Sequence, residues 1–508
     1  MVRYIIRRVL LAVGTLLVLS VIAHLMIDTA VDPLEDLRLS TNPNKELLIA
    51  NRTAMLELDK PWIIRYWHWL SGFVTGDWGE AWVSHEPVTS LLGNAISVSF
   101  SLVIVATALA LVLGCTIGIV SALRQYTGFD YSITFVSFVL YSLPVFWVAV
   151  LLKQFMAIGL NDFLGNPSVN WTVVIAVSVV FGLFWMGAIG GSTKRKGIVF
   201  GTAAVVTGGT LAGIIGSGWL DAPRLSIIGV AVIGLAGAFA VTLLTAGTGN
   251  RLALFSSLTT WGIGVALYYP LMSYFNAYAM SWSMSILLLL SAIGVACLVG
   301  FLFGGPDRAV SMRGASFVAA IMGILTWVDR LLQSYPAYYN NNLVHKRPIG
   351  TIGAMTPNLQ SDYWIMTIDR FTHILLPTIA LVLISFASYT RYQRGAMLEV
   401  MNQDYIRTAR AKGLPERVVI MRHALRNALM PLAAVIPIDL TSLVGGAVMT
   451  ETIFGWSGMG RLFITSLRQH EIDPLMSYII IVGAFAIIMA LLADFLYALL
   501  DPRIRVNA

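Results

Sequence analysis

The residues best suited to a mechanistic role lie in one basic, polar segment near the end of the chain. It runs from Arg391 to Pro431 and carries eight Lys and Arg residues. Within it, Asn402 to Glu416 has the sequence NQDYIRTARAKGLPE, which favours a short helix, a corner and a second helix. Gly413 suits the left-handed end of the first helix, while Pro415 and Glu416 suit the start of the next. The chemistry open to such a segment is docking and force transmission.

One face of the first short helix is built from small or apolar residues. Ile406, Ala409 and Gly413 recur at helical spacing, whereas Arg407, Arg410 and Lys412 point elsewhere. We expect the small face to permit close docking into a partner's groove. The alternative is a solvated basic loop that only fixes the orientation of the chain in a membrane.

Other kinds of site find little support in the sequence. Cys115 and Cys297 lie in separate apolar stretches without neighbouring ligands, which argues against a disulfide or a metal site. Gly190 to Gly197 lacks the order of a G-x-x-x-x-G-K-[ST] phosphate loop. We therefore predict no catalytic, cofactor-binding or metal site in this chain. Nor do we predict nucleic-acid binding, because basic residues beside membrane helices set topology and contact anionic lipid.

The elements that position these residues must be membrane helices. Of 508 residues, 57% are hydrophobic and 12% charged, the net charge is +7 and the mean hydropathy is +0.78. An ordinary soluble domain carries roughly 25% charge. Apolar stretches of about 20 residues predict an all-α, polytopic membrane protein with about twelve spans. They begin near Val9, Ser99, Ile133, Trp171, Ile198, Leu225, Leu252, Ser285, Gly314, Phe371, Leu429 and Leu475.

The distribution of charge predicts that both termini are cytoplasmic. With an uncleaved first helix starting inside, most Lys and Arg residues fall in inside segments and most Asp and Glu residues in outside segments. The first outside segment, residues 28–96, is rich in Trp. We interpret Trp62 to Phe73 as a helix at the membrane interface, with docking of an external partner as the alternative.

At this point the motifs resemble a known family. Arg407 to Gly413, with Arg422 to Pro431 downstream, is similar to the cytoplasmic EAA loop of ATP-binding cassette importer permeases of the dipeptide/oligopeptide group. The general pattern of the family has Glu where this chain has Arg407, a departure similar to what peptide permeases carry. Further similar segments are Met1 to Arg8, Leu58 to Pro61, Gly76-Asp77, Ser142 to Phe146, Thr450 to Arg461 and Tyr497 to Ile504.

The resemblance implies a transport subunit of a type I importer, of the prokaryotic type, in the cytoplasmic membrane. Its coupling loop would fit a groove of a cytoplasmic ATPase, which would bind ATP and Mg²⁺ in place of this chain. Expected partners are a second homologous permease, two ATP-binding subunits or domains, an extracytoplasmic substrate-binding protein and membrane lipid. The expected ATPase-coupling residues are Asp404, Tyr405, Arg407, Thr408, Ala409, Arg410, Lys412, Gly413 and Glu416.

The resemblance also divides the chain. Residues 1–159 and 336–508 would form a six-helix permease core, with the cytoplasmic EAA loop at 395–428. Residues 160–335 would form an inserted bundle of six further helices. An even insertion leaves the orientation of the core unchanged. We interpret it as a lipid-facing accessory bundle, with a regulatory or partner-binding module as the alternative.

Three residues are candidates for the pathway or its gate. Asp439 lies about ten residues into the eleventh span, where it would face the translocation cavity or the paired permease, or else lock helix packing by a hydrogen bond. Glu451 ends that span and could close the pathway or contact the binding protein, although a solvated helix end is the simpler interpretation. Pro144 belongs to the motif in the third span. Lys153, near the outer end of that span, is expected to snorkel to the interface.

The resulting prediction is a subunit of an ATP-driven importer of dipeptides or oligopeptides, without an ATPase motif of its own. The same kind of importer could carry another solute, such as an oligosaccharide or a nickel chelate. From a different class, an ion-coupled secondary transporter also has twelve spans with both ends inside. Such carriers usually contain related halves, which this chain lacks.

Overall fold

Long apolar stretches separated by short polar turns give a chain made almost wholly of helices. The computed structural model describes residues 2–247 and 249–500, and the side chains at 2–5, 442–446 and 497–500 are left out of that description. The closing motif that begins at Tyr497 therefore leaves the described residues after Leu500. Arg503 and Arg505 also lie outside them.

The N-terminal third begins with one long helix, followed by a segment of short helices and strands. Its elements are α1 (Val2–Ala30), α2 (Glu35–Leu39), α3 (Lys45–Met55), α4 (Trp62–Thr75), β1 (Glu80–Ala81) and β2 (Glu86–Pro87). The two strands pair antiparallel. The helix expected from Trp62 to Phe73 is present as α4, with Trp67 65% exposed, and its place at the membrane interface stays a prediction. After the strands come α5 (Val88–Leu123), α6 (Gly128–Ser142), α7 (Val145–Leu151), a π-helix (Leu152–Gly159) and α8 (Leu160–Gly165).

The middle of the chain is a further series of membrane helices. They are α9 (Trp171–Ile189), α10 (Thr193–Gly216), α11 (Ser226–Thr245), α12 (Arg251–Ala266), α13 (Tyr268–Ala277), α14 (Trp282–Phe303) and α15 (Arg308–Gln333). A 3₁₀ turn, Gly305–Asp307, precedes α15. The pair α12 and α13 is bent by 42° and counts as one span.

The C-terminal part contains the longest helix and the predicted coupling loop. Its helices are α16 (Tyr335–Tyr339), α17 (Tyr363–Met401), α18 (Asp404–Ala411), α19 (Glu416–Val418), α20 (Leu425–Ala428), α21 (Met430–Gly446), α22 (Val448–Phe454), α23 (Met459–Arg468) and α24 (Ile472–Leu500). A second π-helix, Val419–Ala424, joins α19 to α20.

The predicted fold class is confirmed. Among the described residues, ten helices are long and apolar enough to cross a membrane, and the count rises to twelve when each of two bent helix pairs is taken as one span. The second bent pair is Glu416–Ala428 with Met430–Thr441, at 45°. The predicted all-α polytopic architecture therefore holds.

The third span differs from the continuous helix expected from Ile133. α6 stops at Ser142, Leu143 is extended, and α7 starts after Pro144. The cause is Pro144, since a proline lacks the N–H of the helix ladder and disfavours helical geometry in the residue before it. The helix that satisfies the length and hydropathy of a span is Val145–Gly165.

The core is organised around α5 and α17, which lie side by side. Gly114 and Gly118 of α5 allow this approach: an added Cβ would lie 2.7 Å from Cβ of Tyr389 and 2.8 Å from the carbonyl oxygen of Thr390. Small residues let helix backbones approach closely within a bilayer, where van der Waals contact drives association. At the edge of the core, an ion pair between Arg8 and Asp494 joins α1 to α24.

Candidate coupling loop and membrane pathway

The predicted coupling segment forms a helix, a corner and a second helix. α17 runs on to Met401, and α18 begins at Asp404 after Gln403. Gly413 has φ +73° and its N–H donates to the carbonyl of Arg410 at 2.9 Å. Pro415, with φ −57°, precedes α19. The expected left-handed glycine and proline start are therefore both present.

The small face of α18 turns towards the chain's own core. Ile406 is fully buried and Ala409 is 6% exposed, in a cluster with Met397, Val419 and Ala424. The prediction that this face enters a partner's groove is therefore wrong for Ile406 and Ala409, whereas Gly413, the third residue of the face, is exposed. Helical periodicity identified the face correctly, but the surface that it covers belongs to α17 and the following π-helix.

The opposite, polar face of α18 and its corner is the exposed surface. All of the predicted coupling residues except Ala409 lie on it: Asp404, Tyr405, Arg407, Thr408, Arg410, Lys412, Gly413 and Glu416. The guanidinium of Arg407 is 71% exposed and lies 3.7 Å from the carboxylate of Asp404. This charged surface is the part of the segment that another protein could contact.

Two side-chain contacts hold the corner of the loop. Arg410 donates to Glu416 through Nη2 at 2.6 Å and through Nε at 3.1 Å. Nδ2 of Asn427 donates to the hydroxyl of Tyr405 at 2.7 Å. The ends of the exposed surface are thus tied to the helix that follows.

A buried ion pair fixes the helices directly above the loop. Arg394 of α17 donates to both oxygens of Asp130 in α6, at 2.7 and 2.9 Å. Asp130 is 2% exposed and also accepts from the hydroxyl of Ser121 in α5 at 2.6 Å. Charge-assisted bidentate bonds are strong and directional. The Asp130 carboxylate therefore ties α5, α6 and α17 together.

Glu451 is buried, contrary to the expectation of a solvated helix end. It is fully inaccessible, and it accepts hydrogen bonds from the hydroxyl of Ser99 at 2.5 Å and from the backbone N–H of Arg461 at 3.0 Å. The reason is that α22 does not end in solvent: the chain turns at Gly455, and α23 packs back over the carboxylate. Glu451 thus joins α5, α22 and α23.

The other pathway candidates lie in different surroundings. Asp439 is half-buried on α21, and its carboxylate lies close enough to the buried Tyr389 side chain on α17 to interact with it electrostatically. Pro144 is exposed at the break in the third span. Lys153 does not snorkel, because its ammonium donates to the carbonyl of Ile453 at 2.5 Å. No hydrogen bond or ion pair among the described residues joins the three candidates.

Sequence reasoning missed the Asp130–Arg394 pair and the contact between Ser99 and Glu451. Thr127, whose hydroxyl accepts from the N–H of Asp130, marks the start of α6 and could have placed that carboxylate. No local signal could have found its partner, which is 264 residues away. For metals, the described residues contain no group of three or more His, Cys, Asp and Glu side chains placed to hold an ion.

Two family models match the chain at its ends. One describes the inner membrane component of binding-protein-dependent transport systems and matches residues 314–506. The other describes the N-terminal part of such a membrane component and matches residues 1–103. A proposed peptide permease of Brucella ovis is 33% identical over 238 residues, which are 44% of this chain and 69% of that protein.

The chain belongs to the family of binding-protein-dependent transport system inner membrane components. It is thus a multi-pass protein of the cytoplasmic membrane. An oligopeptide transport system permease of Mycobacterium tuberculosis is 41% identical over 155 residues, 30% of this chain and 48% of the relative. A dipeptide transport system permease of Escherichia coli is 45% identical over 138 residues, 27% of this chain and 41% of the relative. The chain thus spans less than half the length of these two members of the family.

Proposed function

We propose that this inner membrane component is the permease subunit of an ATP-driven importer of dipeptides and oligopeptides. Its relatives carry the names of oligopeptide and dipeptide permeases, which supports the substrate class. In this proposal the chain has no ATPase of its own, and hydrolysis of ATP takes place in separate subunits. The exposed charged surface of α18, backed by a buried core, is the observation that carries the proposal.

The proposed assembly contains four further components. They are a second homologous permease, two cytoplasmic ATP-binding subunits or domains and an extracytoplasmic substrate-binding protein. The description of the family as part of a binding-protein-dependent system supports the last of these. ATP and Mg²⁺ would bind to the ATPase partners, and membrane lipid would surround the spans.

Coupling would use the polar surface of α18 together with the corner at Gly413. Arg407 and Asp404 would contact the ATPase, since both are exposed. The Arg410–Glu416 pair would hold the corner at a fixed angle. Movement of the ATPase would then reach α5, α6 and α17 through the Asp130–Arg394 pair. Ala409 would support the surface from behind.

For the pathway, we propose that Asp439 and Pro144 lie beside the route of the substrate. Half-burial of an ionisable side chain within a span supports this for Asp439, because such groups usually face a cavity or a partner. The break at Pro144 would allow the two parts of the third span to change their angle. Glu451 would instead hold the outer end of the eleventh span closed over α5.

We also propose that residues 160–335 are an accessory bundle inserted into a six-span core. The contacts at its two ends support this. The hydroxyl of Tyr339 donates to the carbonyl of Leu164 at 3.2 Å. Asn161 exchanges hydrogen bonds with the backbone of Ile349 at 2.9 and 3.0 Å. Entry to and exit from the bundle are thus neighbours.

The test is uptake of labelled di- to pentapeptides into vesicles that contain the full complex. Arg407→Glu reverses the charge of an exposed coupling residue, and Lys194→Glu makes the same change in another inside loop. We expect ATP-dependent uptake, a loss of about tenfold in Arg407→Glu and little change in Lys194→Glu. Assembly of the complex is measured alongside for both variants.

Three results would contradict parts of this proposal. Unaltered uptake and ATP hydrolysis in a fully assembled Arg407→Glu complex would remove the coupling role of that residue. Peptide uptake driven by an ion gradient without ATP would indicate a secondary transporter. ATP-dependent uptake of an oligosaccharide or a nickel chelate, but not of peptides, would keep the importer and change its substrate.

A further inference from the structure

The proposed inserted bundle contains a large apolar cavity. It has a volume of about 420 Å³ and lies between α12, α13, α14 and α15, with Phe371 of α17 at one end. Several rim residues, among them Leu267, Ile286 and Ile324, are about half exposed on the outside of the bundle. These helices cross the membrane, so the cavity opens sideways towards the bilayer.

A bend in one span produces the gap. α12 ends at Ala266 and α13 starts at Tyr268, with 42° between them. Pro270 explains the bend, because it lacks an N–H and its ring clashes with the carbonyl four residues earlier. The bend turns part of the span away from α14. Ala292, with its single methyl group, fills little of the resulting space.

The cavity is elongated along α14. Its lining positions on that helix include Ser285, Leu288, Ala292, Val295 and Val299, which recur at helical spacing on one face. From Trp282 to Val299 this face extends about 25 Å at the rise of an α-helix. The hydrocarbon core of a bilayer is about 30 Å thick. The shape therefore suits an extended chain lying parallel to the helices.

Polar groups on the wall are nearly all satisfied within the protein. The hydroxyls of Thr260, Ser285, Ser291 and Thr326 each donate to a carbonyl of their own helix or its cap, at 2.7 to 3.0 Å. A cavity with apolar walls, whose polar groups already have hydrogen-bond partners, stays dry and accepts apolar ligands. The cavity therefore suits an occupant that is apolar along its whole length.

Aromatic side chains gather at the outer end of the cavity. Trp327 packs beside Trp282 and Phe371, and Trp282 also contacts Tyr363. Clustered Trp and Tyr side chains mark the level of the lipid headgroups. An occupant with a polar end at this level would keep that end among the lipid headgroups.

We propose that this cavity binds one acyl chain of an outer-leaflet phospholipid. The chain lies along α14, and its ester end lies at the level of Trp282 and Trp327. Walls from four helices surround the chain, so this lipid exchanges more slowly than the lipids that cover the outer surface. The proposal depends on the membrane spans alone and is independent of the transported solute.

Photolabelling of the full complex tests the site. The probe is phosphatidylglycerol with a diazirine near the end of one acyl chain, in vesicles of phosphatidylethanolamine and phosphatidylglycerol. We expect the label to concentrate on the facing sides of α14 and α15. Ala292→Trp fills the cavity and should lower this labelling about tenfold. The matched control is Gly294→Trp, at an exposed position of the same helix that does not line the cavity, and it should leave the labelling unchanged.

Native mass spectrometry of the purified complex gives a second measurement. We expect Ala292→Trp to retain about threefold less phospholipid than Gly294→Trp. Equal labelling in Ala292→Trp and Gly294→Trp would overturn the proposal. Labelling of the unmodified chain that is spread evenly over α9, α10 and α14 would also overturn it, as would a polypeptide crosslinked in the cavity.

Discussion

Glu451 shows how one carboxylate organises the outer end of the core. Ser99 donates its hydroxyl to Glu451 and accepts the backbone N–H of Met459 at 2.8 Å. Gly458 lies against the same carboxylate, where an added Cβ would be 2.3 Å from Oε1. The carboxylate therefore sets both the start of α23 and its position over α5. Its type and place in the sequence gave no indication of this packing.

Removal of this carboxylate is expected to destabilise the chain. Glu451→Ala leaves two donors unpaired in a dry site, which should lower the free energy of unfolding by about 3 kcal/mol. Glu451→Gln keeps one acceptor oxygen and should cost less than half as much. Thermal unfolding of the purified protein measures both, with exposed Glu46→Ala as the control. Similar melting temperatures for the alanine variants at 451 and 46 would contradict this role.

Glu471 gives a pH-dependent prediction outside the spans. It is 4% exposed and accepts the backbone N–H of Val83 at 2.9 Å. Burial raises the pKa of the Glu471 carboxyl. The ionised form therefore costs stability above the folded-state pKa, and this cost vanishes as pH falls below the ordinary Glu pKa of about 4.3.

Glu471→Gln should remove that cost while it keeps an oxygen for Val83. We expect the variant to melt at a higher temperature than the wild type at neutral pH, and the difference to disappear towards about pH 4. Melting curves across this range measure it, with Glu46→Gln as the control. A difference that stays constant with pH would show that the charge of Glu471 is not responsible.

At the scale of elements, the coupling loop was predicted in part. Its helix, its left-handed Gly413 and its proline start follow from local residue types, and all three are present. The direction of the small face was wrong, since periodicity identifies a face but not the surface it covers. In the third span, hydropathy predicted the apolar stretch correctly. It did not predict the break in the helix, which Pro144 causes.

The corner of the coupling loop depends on Gly413. A Cβ there would meet no atom within 4 Å, so the cost of Gly413→Ala is backbone strain alone, about 1 kcal/mol. We expect the amides of α18 to exchange hydrogen about fivefold faster in this variant. Gly395→Ala, also without neighbours within 4 Å but inside α17, should leave this exchange unchanged or slow it. Equal effects of the two substitutions would contradict the prediction.

At the scale of the whole molecule, the apolar stretches of the sequence predicted the number of spans well. Hydropathy is a local property, and each span is long enough to show it. The pairs that assemble the spans are long-range, such as Lys153 with Ile453, 300 residues apart. One sequence without related sequences contains no signal for such pairs. The packing of the core could therefore not be predicted at the same level.

The proposed insertion predicts that the core survives without it. A variant without residues 166–334, with a short Gly-Ser linker from Gly165 to Tyr335, keeps the contacts of Asn161 with Ile349 and of Leu164 with Tyr339. Surfaces exposed on α17 would face lipid at little cost, since lipid is as apolar as the lost helices. We expect normal insertion and ATP-dependent uptake within about threefold of the wild type.

A deletion that removes an odd number of spans is the matched control. Loss of residues 166–304 alone keeps α15 and reverses the orientation of everything after it, so this variant should be inactive. Complete loss of uptake by the 166–334 variant, despite normal insertion and assembly, would contradict the accessory role of the bundle.

The close contact of α5 with α17 has a consequence for how the chain is made. α5 ends at Leu123 and α17 starts at Tyr363, so about 240 residues are synthesised between them. At ribosomal rates of about 5 to 20 residues per second, α5 waits for roughly ten to fifty seconds. During that time, lipid or a chaperone must cover the surface at Gly114 and Gly118. Synthesis of this membrane protein therefore includes a stage at which α5 is complete and its partner α17 has not yet been made.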